Sequence, residues 1–216
     1  MPLLDPATLQ AQTMRGDWAI FLLASVVVGV VVYALILAPL VLWRRRSDEL
    51  PPQFSVNRGV EVVSVVIPLA LIAFLFYVTY TSEVSVDAVA AHPFATVDVT
   101  GFRWSWRFDY PGTGIRIVGA PGRPPELVLP QNETTQIDLR TDDVNHSFWV
   151  SDFLFKRDAV PGIVNRFDLT PIRTGTFRGA CTQFCGLEHT LMTFTVRIVP
   201  VEAYRHWIAG HGKAPV

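Results

Sequence analysis

Two long apolar runs open the chain, and an alternating apolar–polar pattern follows them. From Trp18 to Trp43 no residue carries a charge. At about 1.5 Å of rise per residue, a helix of that run exceeds the roughly 20 residues that cross a bilayer. A second run, Val60 to about Tyr80, carries one acid, Glu61, near its start. Two buried helices of a soluble protein are the alternative, but a soluble domain of this size has no need of such long uncharged runs. A cleaved signal peptide suits the first run poorly. It is too long for a signal core, and Arg44, Arg45 and Arg46 follow it rather than precede it.

The loop 44–58 holds Arg44, Arg45, Arg46 and Arg58 against Asp48 and Glu49, whereas the N-terminal segment 1–17 has only Arg15. The positive-inside rule therefore predicts transmembrane helices at 18–43 and 59–81 joined by a cytoplasmic loop at 44–58. Both termini then lie on the outer, periplasmic side of a bacterial or archaeal cell membrane, or of an equivalent inner membrane. Trp18, Trp43, Tyr77 and Tyr80 fall where interfacial aromatics belong.

From about Val84 the texture changes. Runs at 95–100, 115–118, 126–129, 135–139, 166–169 and 194–199 read as short strands. Pro111-Gly112, Pro121-Gly122, Pro161-Gly162 and Arg173-Thr-Gly175 mark turns. Many short strands without helical period predict an all-β sandwich or barrel over 82–216. Ala203 to Ile208 reads as a short helix, and His211 to Val216 as a frayed tail. The 216 residues suffice for one domain with appendages, and a net charge of −1 gives no reason to expect a nucleic-acid partner.

The candidate chemistry is concentrated in one run, Cys181-Thr-Gln-Phe-Cys185-Gly-Leu-Glu-His189-Thr-Leu-Met192, with His146 upstream. Two thiolates, two imidazoles and a thioether are a soft donor set, which favours copper over calcium or magnesium. The three residues between the cysteines allow a tight loop that turns both sulfurs to one side, and Gly186 admits a backbone conformation that a Cβ disfavours. Paired thiolates bridging two ions would explain why these are the only cysteines. Each part also has a plainer reading. Two cysteines outside the cytoplasm commonly form a disulfide, two Cys with two His suit zinc, and a Met three residues after a His is often core. The absence of Cys-x-x-Cys-His excludes a c-type haem.

Taken together, these residues resemble subunit II of the haem-copper respiratory oxidases, typified by cytochrome c oxidase. The resemblance extends over nearly the whole chain. It includes the two-span hairpin, the run Trp104-Ser-Trp106-Arg-Phe108-Asp-Tyr110, the block His146-Ser-Phe-Trp-Val, the block Lys156-Arg-Asp-Ala-Val-Pro161-Gly162 and the cysteine loop. It implies a two-helix transmembrane hairpin followed by an all-β cupredoxin-like Greek-key barrel. It implies a dinuclear copper centre, CuA, held by His146, Cys181, the Gln183 carbonyl, Cys185, His189 and Met192. Electrons from cytochrome c or another small redox donor would enter at Trp104 and leave to haem in subunit I, which would reduce oxygen to water with proton translocation. Subunit III is an expected further partner. Oxygen chemistry in this chain alone is not expected, since His92, His206 and His211 form no haem-binding pattern.

Further roles follow from the same resemblance, each with a structural alternative. Glu61 would guard a proton-channel entrance, or simply be solvated near the interface. Trp104 would pass electrons, or pack with Trp106, Phe108 and Tyr110. Asp109, Asp142 and Asp143 would steer a basic donor, or form a solvated face. Arg173 and Arg178 would contact subunit I, or stand in solvent. Gln183 replaces a glutamate whose side chain helps hold magnesium in the family, which puts the magnesium site in doubt. Ser105 and Ser64 also depart from the usual aromatics. Two further readings stay open, a CuA subunit of a nitric oxide reductase and a membrane-tethered copper carrier. A quinol-oxidase subunit II lacks the copper ligands present here.

Overall fold

The computed structural model describes residues 5–44, 53 and 55–210. It divides into two compact units, one of residues 16–83 and one that combines 1–15 with 84–216. Most of the 44–58 loop expected in the cytoplasm, and the 211–216 tail expected to fray, lie outside the described residues.

The helical unit is built from α1 (Leu9–Leu42) and α2 (Arg58–Asp87). Both are long and apolar enough to cross a membrane. Leu35, Leu40, Val41, Val65, Ile67 and Phe76 are among the many large apolar side chains left exposed on them, which in water would be a severe liability and in lipid is none. Near the start of α1 and the end of α2, Ser82 donates a 2.8 Å hydrogen bond to Asp17, tying the helices as antiparallel neighbours. α1 begins at Leu9 rather than near Trp18, and α2 continues to Asp87, past the expected end at 81. The apolar period marks the lipid-facing part of each helix, while the helices continue beyond it.

The β unit is a sandwich of two five-stranded sheets. The strands are β1 (Ala95–Phe102), β2 (Ser105–Tyr110), β3 (Ile115–Val118), β4 (Glu126–Pro130), β5 (Thr135–Thr141), β6 (His146–Val150), β7 (Phe155–Ala159), β8 (Asn165–Leu169), β9 (Gly175–Cys181) and β10 (Thr193–Val199). One sheet runs β3-β2-β1-β5-β8 and the other β4-β10-β9-β6-β7. The pairs β1–β5 and β10–β4 are parallel, the others antiparallel. Non-sequential neighbours of this kind define the crossed connectivity of a cupredoxin-like fold. Inward-facing Trp106, Phe108, Ile137, Leu139, Phe148, Phe167, Phe194 and Val196 are almost wholly buried. Their rings interlock, with Phe148 stacked on Phe194 at 4.8 Å and Trp106 edge-on to Phe194 at 5.3 Å. α3 (Val201–Ala209) closes one edge through Tyr204 and Trp207, somewhat longer than the sequence suggests.

Residues 5–11 belong to this unit as well. Ala7, Thr8 and Ala11 are fully buried, and the Ala7 and Leu9 amides donate to the Asp152 and Thr170 carbonyls while Ile172 donates back to Ala7. Asp5 pairs with Arg173 at 3.2 Å. The N-terminal segment therefore lies on the same side of any bilayer as the sandwich.

Candidate metal centre

The candidate ligands gather at one end of the sandwich. His146 opens β6, and Cys181 closes β9 one residue beyond the Ala180–Thr193 pair. The Cys181 amide donates to the Met192 carbonyl at 2.9 Å, so the whole loop between them is pinched at its base like a hairpin. Within the loop Gly186 takes φ +120°, a conformation natural for glycine. A Cβ there would also press within 3.1 Å of the Trp104 ring nitrogen. His189 starts a single 3-10 turn that carries Met192 to the same side.

The donor atoms converge. Cys181 Sγ lies 3.9 Å from Cys185 Sγ, 3.8 Å from His146 Nδ1 and 3.2 Å from the Gln183 carbonyl oxygen. Cys185 Sγ lies 3.4 Å from His189 Nδ1 and 3.7 Å from Met192 Sδ. A disulfide needs about 2.05 Å between sulfurs, and both cysteines are free. His146, Cys181, Cys185 and Met192 are buried, and His189 is half-buried.

The thiols oppose one another electrostatically. Burial works to raise Cys181, but hydrogen bonds from the His146 ring and the Ser147 and Gln183 backbone outweigh it and hold the thiol below its ordinary value. Burial, joined by the charge of Cys181, pushes Cys185 up to about 12. Two adjacent sulfurs cannot both ionise here without a cation between them, and only thiolates are strong metal ligands.

Two neighbours shape this cluster, and neither role is evident from the sequence. Asp143 Oδ1 lies 2.9 Å from His146 Nε2. Burial opposes ionisation of Asp143, but hydrogen bonds from His146, from the Val144 and Arg103 amides and from the Arg103 side chain bring it down to about 2. Gly101 on β1 leaves room for the imidazole, since a Cβ there would meet the His146 ring at 3.0 Å. The signal in the sequence is an Asp three residues before a candidate ligand, read there as a donor-steering acid or part of a solvated face.

The remaining candidates distribute as follows. Trp104 occupies the β1–β2 turn, and its Nε1 donates a 3.0 Å hydrogen bond to the Cys185 carbonyl. Trp106, Phe108 and Tyr110 are buried core. The three acids expected to face a basic donor are all engaged by arginine. Asp143 pairs with Arg103, Asp142 with Arg107, and Asp109 with Arg107 and Arg116. Asp109 is also well down β2, opposite Asp98 rather than near the turn. Arg173, expected at a subunit contact, is held by Asp5 and lies over the Phe177 ring at 5.0 Å. Arg178 is exposed on β9. Glu61 stands in the first turn of α2, where Asn57 Oδ1 accepts the Val60 amide as an N-terminal cap.

A cupredoxin-like sandwich with a buried soft-donor cluster, joined to two membrane-length helices, defines a class of membrane-anchored redox-type domains. A family model described as cytochrome c oxidase subunit II, periplasmic domain, matches residues 123–199. The chain is 34% identical to a probable cytochrome c oxidase subunit 2 of Streptomyces avermitilis, over 98% of this chain and 78% of that protein. It is 30% identical to cytochrome c oxidase subunit 2 of Mycobacterium bovis, over 93% of this chain and 72% of that protein. Among solved structures, the periplasmic domain of subunit II of cytochrome oxidase (CoxB) of Bradyrhizobium japonicum superposes with a TM-score of 0.51 at 28% identity, covering 58% of this chain and 98% of that one. The chain belongs to the cytochrome c oxidase subunit II family, and so to the subunits of an oxidoreductase complex.

Proposed function

We propose that this chain is the electron-input subunit of a terminal respiratory oxidase, with a dinuclear copper centre held by His146, Cys181, the Gln183 carbonyl, Cys185, His189 and Met192. The observation that carries this reading is the paired arrangement of the donors. Each sulfur faces its own imidazole nitrogen, Cys181 with His146 and Cys185 with His189, and the carbonyl and thioether supply one further donor apiece. A lone tetrahedral zinc needs four ligands; six donors split in this way would suit two ions rather than one. When bound, the copper pair supplies a one-electron relay between a soluble donor and the haem of subunit I, where oxygen is reduced to water with proton translocation.

The chain's own residues hold and shield that relay. Asp143 fixes the His146 ring so that Nδ1 faces the sulfur. The strands on either side hold the ligands rigidly, which limits their movement on a change of charge. Burial of the sulfurs keeps water away. Trp104, bonded to the Cys185 carbonyl, is the surface aromatic through which electrons enter. The Gln183 side chain is a neutral amide and a poor magnesium ligand, which puts a magnesium site at the subunit I contact in doubt. Glu61 would serve proton uptake into subunit I. The sandwich and the N-terminal segment face the periplasmic side, a placement supported by their direct contact and by the arginine-rich loop sequence. Cytochrome c or a similar protein is the donor, and subunits I and III are the partners.

The test is metal analysis with electron paramagnetic resonance on the purified protein. Two copper ions sharing one unpaired electron are expected, with the signal abolished in Cys185→Ser. Zinc in the native site, a native Cys181–Cys185 disulfide, or an unaltered signal in that variant would overturn the assignment.

A further inference from the structure

Both imidazoles of the candidate centre face a sulfur through Nδ1, but only one is backed on its far side. Asp143 Oδ1 lies 2.9 Å from His146 Nε2, whereas the far nitrogen of His189 meets no hydrogen-bond partner among the described residues. The Asp143 carboxylate is in turn held on both oxygens. Oδ1 accepts the Val144 amide, and Oδ2 accepts the Arg103 amide at 2.8 Å and the Arg103 side-chain Nε at 3.2 Å. A chain of guanidinium, carboxylate and imidazole therefore leads from the surface to Cys181, whose Sγ is 3.8 Å from His146 Nδ1.

Backbone amides place this carboxylate, and the guanidinium balances its charge. The Arg103 and Val144 amides hold Asp143 whatever side chain stands at 103, and Trp104 anchors the same turn to the Cys185 carbonyl. What the Arg103 side chain adds is one positive charge opposite the negative charge behind His146. His146 is wholly buried, the Asp143 side chain is 22% exposed and the Arg103 side chain 52%. Charges beside a buried site act through a weaker dielectric than water, and the more exposed member of the pair is screened more. The neighbouring acid, Asp142, is matched separately by Arg107. A carboxylate behind a ligating imidazole raises its basicity, which favours the oxidised, more positive state of an ion held there.

We propose that Arg103 is a positioning residue for the relay: acting through Asp143 and His146, its charge offsets the carboxylate and sets how readily the site gives up its electron. The proposal rests on the electron-input reading above. Its signature is a pair of shifts of opposite sign. Oxidation adds positive charge, so removing the guanidinium favours the oxidised site and lowers its potential. Removing the carboxylate charge favours the reduced site and raises the potential. A purely structural role would move both variants the same way, since each loosens the same bond.

The experiment is a redox titration of the intact oxidase complex, with the copper pair followed by electron paramagnetic resonance. At a fixed ambient potential, Asp143→Asn should raise the reduced-to-oxidised ratio about tenfold, which is about 59 mV for one electron. Arg103→Gln should lower the ratio about threefold, less because the guanidinium is half exposed, and the change should shrink as ionic strength rises. Arg103→Lys keeps the charge and should stay within about twofold of wild type. A wild-type ratio in Arg103→Gln, a shift in the same direction as Asp143→Asn, or an Arg103→Lys ratio equal to that of Arg103→Gln would overturn the proposal. Absence of a two-copper signal from the wild-type complex would instead strike down the electron-input reading.

Discussion

Asp143 and His146 share a 2.9 Å hydrogen bond between a carboxylate oxygen and Nε2, and this bond fixes which nitrogen of the imidazole faces Cys181. The carboxylate is held in turn by the Arg103 side chain and amide. Removing such an outer partner commonly costs about 10–100-fold in metal affinity. Asp143→Ala should lower copper affinity within that range in competition with a chelator, and Asp143→Asn, which keeps an acceptor oxygen, should lower it less. Equal affinity in Asp143→Ala and wild type would show that the bond does not position His146.

Trp104 couples the β1–β2 turn to the cysteine loop through one hydrogen bond to the Cys185 carbonyl. Trp104→Phe keeps an aromatic ring but loses the donor, which should cost about 1 kcal/mol of stability. Thermal unfolding would record that loss, while stopped-flow oxidation of cytochrome c should show slower reduction of the site with its copper spectrum kept. An unchanged reduction rate would remove Trp104 from the electron path.

Gly179 faces the core where Phe194 fills all available room, and a Cβ there would lie 2.1 Å from the ring. Gly179→Ala should overpack the sandwich at a cost of about 1–3 kcal/mol. That corresponds to about 2–4 °C of melting temperature per kcal/mol for a chain of this size. Because Gly179 lies two residues before Cys181, copper retention should fall alongside the melting temperature. A wild-type melting curve would mean the ring relocates freely.

On the outer face of the other sheet, Arg166 forks onto Asp138 with hydrogen bonds of 2.7 and 2.8 Å. That bond holds the Asp138 carboxyl below its ordinary value, against the opposing effect of burial. A depressed carboxylate stabilises the fold fully above its unfolded value of about 3.9, and the contribution disappears as pH falls through the lower folded value. The melting temperatures of wild type and Asp138→Asn should therefore differ at neutral pH and converge on acidification below about pH 4. A difference that stays constant with pH would indicate that the pair is not coupled to folding.

Much of this was legible in the chain because the signals were local. Charge-free runs reveal membrane-length helices, and the loop from Cys181 to Met192 carries most of its donors within one short segment. What escaped was set by distant residues. β9 reads as Gly-Thr-Phe-Arg-Gly-Ala-Cys, with Gly175 and Gly179 masking its strand character until the demand of Phe194 for space is seen. β6 and β7 lack clean alternation for the same reason, since their neighbours, not their own pattern, decide burial. Asp142 and Asp109 resemble free acids in sequence. Only the register among β1, β2, β3 and β5 brings arginines beside them.

Glu61 poses the last question, because it is the one acid in the apolar run from Val60 to Tyr80. Ser64 donates its hydroxyl to the Glu61 carbonyl at 2.9 Å, and the Glu61 carboxylate has no protein partner among the described residues. A carboxyl group at a span terminus without an internal partner must turn to water, lipid headgroups or another subunit. If it serves proton uptake, Glu61→Gln removes the titratable group while preserving length and shape. Proton translocation per oxygen consumed, measured in vesicles containing the complex, should then fall, and turnover should slow most at high pH, where protons are scarce. Site reduction by cytochrome c should proceed at the wild-type rate, since the proposed copper ligands all lie in the β unit. Unaltered proton stoichiometry and turnover across that pH range would leave Glu61 as a solvated residue of the helix start.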